Sequence, residues 1–422
     1  MIDIILSCLK TNSDISAYEV SMDMTKSVQL FYVLNKLETN RYTSNNDILV
    51  NIYHDHDGYR GNANFTVNSA DNLYTINDKI ERALKIAKTI NNKFFNLNSK
   101  NGNVENIESI KEYNLNKVAT KCMDAVVKAD VYDDGWINST EIFVTEKRHS
   151  YLNSAGVMQS YQKTFLEIEL IPTWRNQAGE EFELYLDFSK MDDDYKDITR
   201  RVSEVLKMAK LRSEAIPFDH ETMPYLGATI TSGMMKTFLS CFVFDVNYAN
   251  VYSKGNHYNV GDKLGNAIDL TLKAQIKGAS RSCPFDESGI CLNELKLIEN
   301  GEIINLWGSN RFGQYLGIEN PSGTYRVFEF ESSNTFNDLE KPYFELIEFS
   351  LPQLDAASGY FGGEVRLALY HGLDGRAIPV SGLSLSGNAY KAINSAKFSS
   401  EKVTYANYHG PKTIYFDNIE IH

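Results

Sequence analysis

The chain has 422 residues, enough for two or three domains, with 43% apolar residues to build cores and 23% charged residues, close to the globular average. A formal net charge of −13 argues against duplex DNA or an anionic membrane as a direct partner, because both demand a basic face. No stretch approaches the ~20 apolar residues that a membrane-spanning helix needs. From the N-terminus, Ile4–Leu9 is apolar, but it follows Asp3 and lacks a basic lead and a small-residue cleavage site. It is a poor secretory signal, and a cytoplasmic protein is expected. Tyr18, Val20, Met22 and Met24 then alternate with Glu19, Ser21 and Asp23, the period of a half-buried strand. Further strands are expected at Val28–Leu34 and Ile48–Tyr53, with a turn around Gly58 and Gly61 leading into Asn64–Val67. Leu73, Ile76, Ile80, Leu84, Ala87 and Phe94 fall at helical spacing, with Asp78, Glu81, Lys85 and Lys88 off that face. This predicts an amphipathic helix packed on the sheet.

The Asn-rich stretch Asn96–Asn106 reads as a loop, followed by strands at Glu141–Thr145 and Leu166–Leu170. Phe182, Leu184, Leu186 and Phe188 alternate with Glu181, Glu183, Tyr185 and Asp187, the most regular strand pattern in the chain. Ile198, Val202, Val205, Leu206 and Ala209 predict a helix that begins in Asp192–Asp194, where acidic residues suit the helix dipole. Pro217 and Pro224 break the pattern, and a domain boundary is placed in Glu214–Leu226, giving domains at 1–215 and 226–422. Twenty of the 26 glycines lie from Gly227 onward, which predicts a second domain of short strands and turns. Asn300-Gly301 and Asp374-Gly375 are hairpin signals.

Five segments of the second half carry more than turn chemistry: Val260–Leu272, Ser282–Ile290, Leu297–Ile303, Ser309–Gly323 and Leu383–Ile393. The chain closes on Gly410–Ile421, and Leu152–Val157 supplies a strand–turn in the first half. In this order and spacing they resemble the TldD/TldE (PmbA, modulator of DNA gyrase) family, and more specifically its TldE/PmbA type. The resemblance implies an α+β, two-domain fold with an α/β N-terminal domain and a mostly β C-terminal domain. It also implies a pair of related subunits, one a TldD-like zinc metalloprotease and the other its partner, that process or degrade short unfolded peptides. A homodimer or heterodimer is expected, with no direct nucleic-acid partner and no membrane.

The TldD-type subunit of that family carries its zinc on an HExxxH helix and a later cysteine. Counting back from Gly261 without gaps, Ser240, Cys241 and Asp245 stand where the two histidines and the glutamate would be, and no cysteine follows Cys291. Catalytic zinc needs about three protein ligands and an open position, so no catalytic, cofactor-binding or metal-ligating residue is assigned and no cofactor is expected. His220-Glu221 begins like HExxH, but Pro224 follows and no second histidine arrives. His54 and His56 share a strand face beside Asp55 and Asp57, so they form the one alternative metal pair. The preferred reading is an exposed strand end entering a Gly turn. Adjacent Asp286 and Glu287 are read as a turn, with Pro284 and Gly289 shaping the backbone and both acids facing water. The five cysteines, Cys8, Cys122, Cys241, Cys283 and Cys291, are odd in number and scattered, which predicts free thiols.

Three functions remain open. The leading one is a non-catalytic partner subunit of a zinc metalloprotease; the alternative is a stand-alone peptide-binding homodimeric pseudoenzyme. The third is an enzyme with a relocated site at His54 and His56. Glu331–Ser358 departs from the family pattern, with Phe344, Glu345, Glu348 and Phe349 in place of a glycine-rich register, so its pairing surface is expected to differ.

Overall fold

A computed structural model describes residues 1–104, 106–417 and 419–422. Glu105, in the Asn-rich loop, and Asn418, in the closing segment, lie outside the described residues. The first half is one long, twisted antiparallel sheet. Its strands are β1 (Ala17–Val33), β2 (Lys36–His56), β3 (Tyr59–Val67), β4 (Gly135–Asn153), β5 (Met158–Arg175), β6 (Glu181–Glu183) and β7 (Leu186–Lys190). They order as β3-β2-β1-β4-β5-β6, with β7 also on β5. Helix α1 (Ile2–Thr11) and α2 (Leu73–Ala87) bury Ile5, Leu9, Ile76, Ile80 and Leu84 against Val20, Val50 and Ile52. Further along the sheet, α3 (Leu115–Val127) and α4 (Tyr195–Ser213) bury Val118, Cys122, Val202 and Leu206 against Val28, Ile142 and Ile168.

Several expectations are corrected here. The two strands expected at Tyr18–Met24 and Val28–Leu34 are one, because the polar residues between them are held in the ladder by β2 on one side and β4 on the other. Its turn uses Leu34 (φ 45°) and Asn35 (φ 62°), a left-handed pair without glycine. The helix at Leu73 stops at Ala87, and Phe94 lies beyond it, 43% exposed. The alternation Phe182–Phe188 is two short strands. Both keep one register on β5, and the gap at Leu184 faces Pro172, which has no amide proton to continue the ladder. Helix α4 begins as expected, with the Asp194 carboxylate accepting from the amides of Lys196 and Asp197.

The second half packs two sheets around helix α5 (Ser232–Asp245). Met234, Met235, Phe238, Leu239, Cys241 and Phe242 are all buried, while Lys236, Thr237 and Ser240 form a half-buried polar stripe along one side of the helix. The smaller, six-stranded sheet runs from Glu302–Ile303 through Ile268–Lys273 and Val327–Ser332 to an edge at Lys402–Tyr405. The larger sheet is built on Gly227–Thr231, Tyr343–Phe349 and Tyr360–His371, and the first two of these run parallel. Asn300 (φ 45°) and Gly301 (φ 81°) make the expected two-residue turn. At Asp374-Gly375 the hairpin forms through a longer loop, Gly372–Arg376, in which only Gly375 is left-handed.

The halves are joined by a strap. Residues Asn96–Asn101 run without regular structure and are held by side-chain amides from both sides. Asn310 and Gln314 donate to the Asn96 carbonyl, Asn98 donates to Gly289, and Asn153 donates to the Asn98 carbonyl. Beside the strap, Lys163 of β5 is buried and donates to the carbonyls of Ser280 and Ser282 at 2.7 and 2.9 Å. Burial pulls its pKa down to about 8. Among the described residues no helix is long and apolar enough to cross a membrane.

Candidate functional site

Three places were singled out by chemistry: the C-terminal end of α5, the His54/His56 strand end, and the Asp286 turn. At the first, Asp245 is fully buried. Its carboxylate accepts from the amides of His257 (2.6 Å) and Tyr258 (2.9 Å) and from the Tyr390 hydroxyl (3.0 Å). The His257 ring lies flat on Tyr390, with centroids 4.1 Å apart. One turn back, Ser240 spends its hydroxyl on the Thr237 carbonyl at 2.7 Å. Burial pushes the Cys241 thiol up to about 11, so it stays protonated at neutral pH.

This donor set does not fit a catalytic zinc. A ligand needs a lone pair free to face the ion, and zinc requires thiolate rather than thiol. Asp245 has spent its oxygens on the segment His257–Tyr258, and Cys241 is neutral. The arrangement instead ties α5 to the following loop and to the short helix Ala389–Ala392.

His54 and His56 stack on one strand face with ring centroids 5.5 Å apart. Each ring has a nitrogen engaged: Nδ1 of His54 donates to the Asp14 carbonyl at 2.7 Å, and Nε2 of His56 meets Oδ1 of Asn91 at 2.8 Å. Of the neighbouring acids, Asp55 is held by both Nε and Nη2 of Arg60 at 2.7 Å, and Asp57 sits in the turn at φ 48°. Among the described residues no three His, Cys, Asp or Glu side chains gather where one ion could be held.

At the third place, the turn is present but the expectation that both acids face water is wrong. Asp286 is 2% exposed and accepts from the amides of Ser288, Ile290 and Thr324. Burial raises its pKa to about 6 against those hydrogen bonds. Glu287 is paired with Arg326 and Thr324. Gly289 (φ 71°) closes the turn where a Cβ would lie 2.5 Å from the Tyr151 ring, so the motif is a clasp between the halves.

A fourth place was not found from the sequence. A cavity of about 420 Å³ opens between β7, α4, the start of α5 and the strands Tyr343–Phe349 and Lys402–Tyr405. It contains Asp187, Lys236 and Glu348, which have no ion-pair partner among the described residues. The Lys236 ammonium lies 5.7 Å over the Tyr405 ring, and burial lowers its pKa. Burial raises Glu348 to about 7, against Arg366 and with Asp187. The one sequence signal was Glu348, one of two glutamates in the strand run Phe344–Phe349.

An α+β chain with this pair of halves defines the fold class of the TldE/PmbA proteins. Over 100% of its length the chain superposes on TldE from Thermococcus kodakarensis with a TM-score of 0.81, at 15% identity and 99% coverage of that chain. It matches equally a protein from Thermotoga maritima described as a modulator of a DNA gyrase (TM-score 0.81, 13% identity, 100% and 99% coverage). A protein of the same description from Bacteroides thetaiotaomicron gives a TM-score of 0.81, 14% identity, and coverage of 100% and 98%. No curated protein matches the sequence. Residues 226–422 match the PmbA/TldA metallopeptidase C-terminal domain family, and the whole chain has the fold of TldE.

Proposed function

We propose that this chain is the non-catalytic partner of a TldD-like zinc metallopeptidase subunit and helps to hold short unfolded peptides for it. The observation that carries the reading is Asp245. At the position where the family's zinc helix offers a ligand, this chain has a carboxylate consumed by three hydrogen bonds. The neighbouring Ser240 and Cys241 are equally unsuited, and the later cysteine ligand of the TldD type has no counterpart after Cys291. The division into units 1–215 and 226–422, dimeric assembly and a cytoplasmic setting belong to the same proposal.

The test is elemental analysis of the purified chain together with casein and an unstructured peptide as cleavage substrates. The expected result is no stoichiometric zinc and no cleavage, and a TldD-like subunit retained in a pull-down. Stoichiometric zinc with chelator-sensitive cleavage overturns the proposal. A self-sufficient homodimer that binds peptide and ignores every TldD-like protein favours the stand-alone reading instead.

A further inference from the structure

The crevice between β7, α4 and the strand Lys402–Tyr405 holds more charge than its packing uses. Most of its ions are already matched. Arg200 pairs with Asp197 and Glu204, Arg201 with Asp197, Lys402 with Glu331, and Lys412 with Glu401. What remains is two carboxyls, Asp187 and Glu348, and one ammonium, Lys236. Glu348 and Lys236 are half-buried, where a charge without a partner is costly, and Asp187 is exposed. Arg366, outside the lining, offsets part of the Glu348 charge, so the two carboxyls are only partly neutralised by Lys236 and Arg366.

Two open strand edges flank the same space. Lys402–Tyr405 ends the six-stranded sheet, and β7 pairs with β5 alone. The Thr404 carbonyl accepts from the Arg201 guanidinium at 3.4 Å. An extended chain laid here finds main-chain partners on an edge and a cation-seeking pair of acids beside it.

We propose that this crevice binds an extended peptide through an ammonium group, a lysine side chain or a free amino terminus, placed between Asp187 and Glu348, with Lys236 donating to a peptide carbonyl. The inference rests on the peptide-holding reading above and adds the place and the chemistry of recognition. An arriving cation favours the ionised form of Glu348, which burial alone disfavours.

Calorimetric titration of the full chain tests it with three unstructured Gly/Ser peptides. One has capped ends and one lysine, one has the same lysine acetylated, and one has a free amino terminus and no lysine. The lysine or the free-amine peptide binds, acetylation weakens binding about tenfold or more, and Glu348→Gln and Asp187→Asn each cost about tenfold. Which of the two ammonium peptides binds tighter identifies the source of the charge, and near-UV circular dichroism checks that both variants remain folded. Peptide binding that ignores acetylation and both substitutions overturns the crevice assignment and leaves the peptide reading intact. If no peptide binds the natural chain, both fall.

Discussion

Single side chains set the most direct expectations. Asp245→Ala strands the amides of His257 and Tyr258 and leaves the Tyr390 hydroxyl only the Ala356 carbonyl, whereas Asp245→Asn keeps an acceptor oxygen. Losing several hydrogen bonds to a buried carboxylate costs about 3 kcal/mol, and the asparagine variant loses less. Urea melts of the two variants check the order; equal stability of Asp245→Ala and the natural chain would show that the contact is dispensable. Glu348 gives a pH test. Its folded pKa, about 7, lies above the ordinary glutamate value of 4.5, so the native state binds the extra proton. Its contribution is fully present below about pH 4.5 and is lost as pH rises through about 7. Glu348→Gln therefore melts at a higher temperature than the natural chain at pH 8, by an equivalent of about 1 kcal/mol, and the advantage vanishes at pH 4. An unchanged difference between the two pH values would place the carboxyl in water.

At the scale of elements, the informative parts are those that polar residues organise. Asn153 ends β4 and makes four hydrogen bonds: its oxygen takes the amides of Ala155 and Val157, and its amide reaches the Asn98 carbonyl and the Tyr151 hydroxyl. One residue thus shapes the β4–β5 turn and fastens the strap. Asn153→Ala is expected to cost about 2–3 kcal/mol and to raise amide exchange in Asn96–Asn101 as well as in the turn; exchange confined to the turn would separate the strap from it. Gly289→Ala is expected to be as damaging, because the new Cβ meets Tyr151 and the backbone is left-handed. A thermal melt indistinguishable from the natural chain would show that the clasp yields. The sequence expectation was right about the turn at Pro284–Gly289 and wrong about its acid. A carboxylate that organises a loop by accepting three amides has the same local sequence as one that faces water. Helix α3 went unrecognised although Leu115, Val118, Ala119, Cys122 and Val126 have the helical period, and α1 was read only as a failed signal segment. The length of β4 and β5 was hidden because Lys147, Arg148 and His149 look like loop residues until Asp23 of β1 is set opposite them. There Lys147 and His149 hold the Asp23 carboxyl down to about 2, outweighing its burial.

Across the whole molecule, the two halves meet through the strap, through Lys163 and through the Asp286 clasp, and the charged crevice opens beside that junction. The relation to TldE from Thermococcus kodakarensis at 15% identity and full-length superposition is a relation of fold. In the proposed reading, the difference from a catalytic subunit rests on a few positions on α5 and on the missing later cysteine. Restoring histidine at Ser240 and Asp245 and glutamate at Cys241 is expected to leave zinc affinity low, since the third ligand is still missing and the segment His257–Tyr258 loses its anchor. Tight zinc binding by that triple variant, measured by competition with a chelator, would show that the proposed loss of the zinc site is only three substitutions deep. The sequence by itself determined the likeness to the PmbA/TldA C-terminal domain, the Asn300-Gly301 turn, the amphipathic helices α2 and α4 and the absence of HExxxH at Ser240–Asp245, because periodicity, positive-φ turns and ligand identity are local properties of the chain. Only the tertiary structure decided that Asp245 and Asp286 are buried and satisfied, that Pro172 splits one strand into two, and that Asp187, Lys236 and Glu348 share a crevice. Burial and pairing depend on what comes from far along the chain, and no local pattern carries that information.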